Sequence, residues 1–94
     1  MKDARYDILC ERKQTIANAE LRFNFKVQGS KYLVKNLTEG DIYVDFIMGK
    51  KTNSRFLIPE NCAQAISING GYDTVFVYPT ATSNKGVEVQ CLEW

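Results

Sequence analysis

Leu21, Phe23, Phe25 and Val27 alternate with Arg22, Asn24 and Lys26, and this two-residue rhythm recurs along the chain between clusters of Gly, Asn, Asp and Pro. Successive side chains of an extended strand point to opposite faces, so one set faces a core and the other faces water. Residues 6–11 open with a candidate strand, although Leu9 interrupts its alternation. Residues 15–20 have some helical character in Ile16, Ala17 and Ala19, but the alternation that follows favours a long strand bulged near Asn18.

Gln28-Gly29-Ser30-Lys31 reads as a hairpin turn into residues 32–37, because glycine reaches backbone angles closed to other residues. Thr38-Glu39-Gly40-Asp41 reads as a second hairpin turn, into Ile42-Tyr43-Val44-Asp45-Phe46. Residues 48–54 form the longest polar interruption and are expected to be a loop. Residues 55–58 resume an apolar run that Pro59 ends, since proline has no amide hydrogen for a ladder; a sheet edge or corner is expected there.

Residues 62–68 form another candidate strand, and Asn69-Gly70-Gly71 is expected to reverse the chain. Thr74-Val75-Phe76-Val77-Tyr78 is β-branched or aromatic at every position, the composition of a strand covered on both faces. Residues 80–86 are expected to loop, and alternation resumes from Val87 to the end. The pattern predicts an all-β single domain over residues 1–94, an antiparallel β-sandwich or small barrel of about seven short strands.

Composition narrows the chemistry. Twelve basic against 11 acidic residues give a net charge of +1, which provides no field for attracting nucleic acid or anionic membrane, so neither partner is expected. No apolar run reaches the roughly 18–20 residues of a spanning helix, and the first residues lack the apolar stretch of a secretory signal. The three cysteines, Cys10, Cys62 and Cys91, are an odd number in a chain with no export signal and are expected as free thiols, with Cys62 and Cys91 acting as small core residues.

The chain has no histidine, the commonest general acid–base near neutral pH and the commonest transition-metal ligand. A histidine-based dyad is excluded, the cysteine spacing does not suit structural zinc, and no cofactor is expected. Glu39, Asp41 and Asp45 are spaced to share a face, yet carboxylate chemistry needs a converging cleft, and a solvated turn accounts for them. Gly70-Gly71 lacks the Lys-Ser/Thr and helix start of a phosphate loop.

Aromatic placement points towards contacts. Tyr43 is out of phase with Ile42, Val44 and Phe46, which puts it on the opposite face beside Asp45 and Ile47. A strand apolar on both faces implies burial at both, and in a small domain the second cover is an oligomer or partner contact. Tyr43, Ile47, Lys50 in the polar loop and the terminal Trp94 are therefore the candidate protein contacts. Exposed tyrosines, Tyr43 and Tyr72 foremost, also suit a carbohydrate-binding module, because sugars stack on aromatic rings.

The run Val34-Lys35-Asn36-Leu37-Thr38-Glu39-Gly40-Asp41-Ile42-Tyr43-Val44, followed by Ile58-Pro59, Ala63-Gln64, Tyr78-Pro79 and Val87-Glu88-Val89-Gln90-Cys91-Leu92, resembles small β-rich virion proteins of bacterial phages and prophages. The resemblance covers about two thirds of the chain and rests on β punctuation. It implies a noncatalytic structural or assembly role, at the head, the head–tail junction or the capsid surface. It further implies homo-oligomers or other virion proteins as partners, and a location in the bacterial host cytoplasm during assembly and then in the virion. The N-terminal third lies outside the resemblance.

Overall fold

The computed structural model describes residues 9–46 and 56–94. It is all-β: β1 (Cys10–Thr15), β2 (Leu21–Asn36), β3 (Ile42–Asp45), β4 (Phe56–Ile58), β5 (Ala63–Pro79) and β6 (Ser83–Glu93). They form one sheet in the order β1-β6-β2-β5-β3-β4, and every neighbouring pair is antiparallel. Short strands were expected throughout, but β2 and β5 have 16 and 17 residues, and each serves two parts of the sheet.

The long strands bend where hairpin turns were expected. Gln28-Gly29-Ser30-Lys31 lies inside β2, and Asn69-Gly70-Gly71 lies inside β5. Between the Asn24–Thr74 and Gly29–Tyr72 pairs β2 advances five residues while β5 advances two; between Gly29–Tyr72 and Lys31–Ser67 the counts are reversed. Paired bulges of this kind kink a ribbon without ending it. Lys26 (φ 61°) and Gly71 (φ 72°) take up left-handed backbone angles there, and the Asn24 side chain accepts the Lys26 amide hydrogen at 3.1 Å. Glycine supplies the same positive φ to a bulge as to a turn, which is why the two features read alike in the sequence.

The bends divide the sheet into two halves. β1, β6, residues 31–36 of β2 and residues 63–67 of β5 make one half; residues 21–24 of β2, residues 74–79 of β5, β3 and β4 make the other. A single apolar core joins them, with Tyr32, Val34, Val87 and Val89 from the first half and Phe23, Val75, Val44 and Ile58 from the second. At roughly 1.5–3 kcal/mol per buried large aliphatic or aromatic side chain, this core is the main source of stability. Thr38-Glu39-Gly40 does bend the chain, but β2 and β3 are not neighbours: β5 lies between them, so the turn carries the chain across rather than closing a hairpin.

The sheet is not closed into a barrel, and side chains bridge both of its open sides. On one side the Lys13 ammonium donates to the Arg22 carbonyl at 2.6 Å and stands 5.3 Å from the Phe23 ring centre. On the other, buried Asn36 donates through Nδ2 to the carbonyls of Gly40 (2.9 Å), Ile58 and Pro59 (both 3.0 Å), while its Oδ1 accepts from the Thr38 amide and hydroxyl. The Asn36 amide hydrogen also bonds to the Cys62 carbonyl at 2.8 Å. Asn36 thus ties the 38–40 turn, the end of β4 and the approach to β5 into one knot.

Three smaller expectations also change. Residues 15–20 do not prolong a strand: β1 stops at Thr15, the Ala19 amide bonds to the Ile16 carbonyl, and Asn18 takes a left-handed φ of 66°, which asparagine tolerates. The loop after Pro79 is shorter than residues 80–86, since β6 begins at Ser83 with Gly86 inside it at φ 69°. Cys62 is exposed in the turn before β5, whereas Cys91 is buried as expected and Cys10 is half-buried. Pro59 follows β4 directly, and β4 is the last strand of the sheet, as the edge reading required.

Candidate protein-contact face

Strand parity fixes what the second half of the sheet presents outwards. Ile42, Val44 and Phe46 are buried, so Tyr43 faces away from the core, as its phase predicted. Tyr43 lies opposite Leu57 on one side and Tyr78 on the other. The three form a row across β4, β3 and β5 in which Leu57 is 47% and Tyr43 38% exposed, and Tyr78 is half-buried. The Tyr78 hydroxyl donates to Glu20 Oε2 at 3.0 Å, and Glu20 Oε1 accepts from Arg22 Nε at 2.8 Å.

A second row lies beside it. Asp45 faces Phe76 across β3 and β5, and Phe76 faces Arg22 across β5 and β2. Val75 and Val77 belong to the inner core and Phe76 does not, yet Phe76 is only 7% exposed. The Arg22 guanidinium, 5.6 Å from its ring centre, is part of its cover, an arrangement in which a cation rests on an aromatic face. The buried Asp45 carboxylate accepts the Phe46 amide hydrogen at 2.7 Å through Oδ1. This half of the sheet is therefore apolar on both faces, and Arg22 and Glu20 supply the polar margin of the outer one.

The candidate contacts do not gather at one place. Tyr43 lies on the outer face; Ile47 and Lys50 lie outside the described residues. Trp94 is half-buried and packs against the core at another part of the molecule, one residue beyond Glu93, which pairs with Lys31 at the bend of β2. Leu57 and Phe76 were not singled out from the sequence, and Tyr78 was considered only among the aromatic residues able to stack on a ligand. Their signal was present, because residues 56–58 and 74–78 are apolar at both parities, and only strand order could show that they flank Tyr43.

Tyr72 does not present a free ring beside Tyr43. It is half-buried, its ring centre is 6.0 Å from that of Phe46, and its carbonyl accepts from the Tyr32 hydroxyl. Burial raises the Tyr32 hydroxyl pKa well above the usual tyrosine range, with the neighbouring Cys91 thiol adding to the effect. Burial likewise raises the Cys10 thiol, helped by the Glu88 carboxylate. Glu88 is itself held below the ordinary range by a 2.8 Å hydrogen bond from Gln90 and by Lys35 at 3.3 Å. A thiol held protonated in this way is a weak nucleophile near neutral pH.

Glu39 and Asp41 are exposed while Asp45 is buried, so the three carboxylates do not converge. Among the described residues no three potential metal-ligating side chains come together, and no helix is long and apolar enough to cross a membrane. A polar cavity of about 340 Å³ lies between Glu39, Asn61 and Lys85, where Ser83 Oγ already accepts the amide hydrogens of Lys85 and Gly86. Comparison of the chain with protein-family models, curated proteins and solved structures returns no match.

Proposed function

We propose that this chain is a noncatalytic structural or assembly protein of a bacteriophage or prophage particle, acting through protein–protein contacts made by the outer face of β3, β4 and β5. The observation that carries the reading is the unbroken row Leu57–Tyr43–Tyr78, with two exposed members, set beside Phe76 and bordered by an ion pair. An apolar centre with aromatic residues and a polar rim containing arginine is the usual anatomy of a protein interface. The phage setting comes from the resemblance of residues 34–44 and of the closing strand to small virion proteins.

Copies of the chain are the first partner to test, because symmetric assemblies reuse one patch on many subunits. Light scattering across a concentration series is expected to show mass growing with concentration for the natural chain. The Tyr43→Glu/Leu57→Glu double variant is expected to stay monomeric with an unchanged circular dichroism spectrum. Growth unaffected by the double variant removes the face from the reading, and a chain that is monomeric throughout removes self-assembly.

A further inference from the structure

The Asn69-Gly70-Gly71 motif, expected as a turn, is set by the fold inside the bend of β5. Of the chain's asparagines only Asn69 is followed by glycine. The amide carbon of such an asparagine is open to attack by the glycine's own backbone nitrogen, because glycine has no β-carbon to obstruct the approach and its backbone turns freely. This reaction is one reason asparagine counts among the thermally labile side chains. A regular ladder suppresses it, since a backbone held extended by bonds on both sides keeps the nitrogen away from the side chain.

At Asn69 the β2–β5 ribbon lacks that restraint. Ser67 pairs with Lys31 and Tyr72 with Gly29, so residues 68–71 of β5 stand against Ser30 alone, and among the described residues none of the four has a ladder partner. Gly71, at φ 72°, completes the departure from extended backbone. Asn69 is exposed, so water reaches it. Asn24, on the β2 side of the same bend, is the contrast: its Nδ2 donates to Thr74 Oγ1 at 2.9 Å, its Oδ1 accepts the Lys26 amide hydrogen at 3.1 Å, and the bulky Phe25 follows it. Asn36 is buried, with its amide nitrogen and its oxygen both bonded.

We propose that Asn69 is a site of spontaneous deamidation in the folded protein. The Gly70 nitrogen attacks Asn69 Cγ and loses its proton, the new N–C bond closes a succinimide ring, and the side-chain nitrogen leaves as ammonia. Water then adds to either ring carbonyl and breaks that carbon's bond to the Gly70 nitrogen, giving isoaspartate or aspartate. Isoaspartate has one more carbon in the main chain, and a bulge of four residues against one absorbs it where a regular ladder would lose its register. The product is the first carboxylate in residues 61–71, a run without a charged side chain, and as a twelfth acid against 12 basic residues it takes the formal net charge from +1 to zero. The inference is independent of the outer face.

The test is incubation of the full folded chain in mildly alkaline buffer, followed by proteolysis and mass spectrometry. The peptide containing Asn69 is expected to gain about one dalton and to separate into aspartate and isoaspartate forms, the second a substrate for isoaspartate methyltransferase, while the peptides containing Asn24 and Asn36 stay unchanged. An acidic isoform is expected to accumulate on isoelectric focusing with the circular dichroism spectrum retained. Asn69→Ser is expected to abolish that isoform, and Gly70→Ala to slow it by about tenfold or more. The rate at Asn69 in the folded chain is expected within about tenfold of that in guanidinium chloride; a folded chain slower than this overturns the inference, because the bend then protects the site as a ladder would. Conversion at Asn69 no faster than at Asn24 and Asn36, or loss of the circular dichroism spectrum in step with conversion, overturns it equally.

Discussion

Asn36 shows how much structure one buried polar side chain can organise. Its amide spans three carbonyls and its oxygen receives two donors from Thr38, so truncation leaves several buried groups without partners. Asn36→Ala is expected to cost about 2–4 kcal/mol in urea unfolding, well above the cost of one exposed hydrogen bond. The thiols differ by position in the same way. Cys62 is exposed, Cys10 is half-buried with its pKa raised, and Cys91 is buried. Alkylation followed by mass spectrometry is expected to modify Cys62 first, Cys10 slowly and Cys91 only on unfolding. Tyr32 adds an alkaline limit. Its pKa is raised in the folded state, so its contribution to stability is complete below the ordinary tyrosine value near 10 and is lost as pH rises above it. Urea midpoints are expected to fall across that range.

At the level of elements, alternation revealed the strands and faces, while the connections stayed hidden. Residues 21–27 and 42–46 have the inward and outward sets that their sequence implied, and Pro59 follows an edge strand. Gly29 and Gly71 were read as turns because glycine serves turns and bulges alike, and only the long-range Asn24–Thr74, Gly29–Tyr72 and Lys31–Ser67 pairs distinguish the two. Gly29 has a further reason to be glycine: a β-carbon there would overlap the Tyr32 ring and Cys91 Sγ. Gly86 is bound more tightly still, since its φ is 69° and a β-carbon would strike the Lys13 carbonyl on β1. Gly86→Ala is expected to destabilise the fold by about 2–4 kcal/mol and to speed amide exchange in β1 ahead of β2. Equal exchange rates in the two strands would show that the position does not anchor β1 to β6.

At the level of the whole molecule, two halves of one bent sheet share a core, and the second half has a further apolar layer outside it. The Tyr43 side of that layer was legible from phase alone. The row it forms with Leu57 and Tyr78 was not, because β4 and β5 join β3 through contacts that no local pattern encodes. Lys13 and Asn36 bridge the two open sides of the sheet, so the broad outer face is the surface best suited to lasting contact with other copies. Hydroxyl-radical footprinting at low and high protein concentration tests this most directly, with Leu92, 39% exposed on β6 in the other half, as the internal control. Protection of Tyr43, Leu57 and Tyr78 with Leu92 unchanged is the expected result; equal reactivity of all four residues at both concentrations contradicts it.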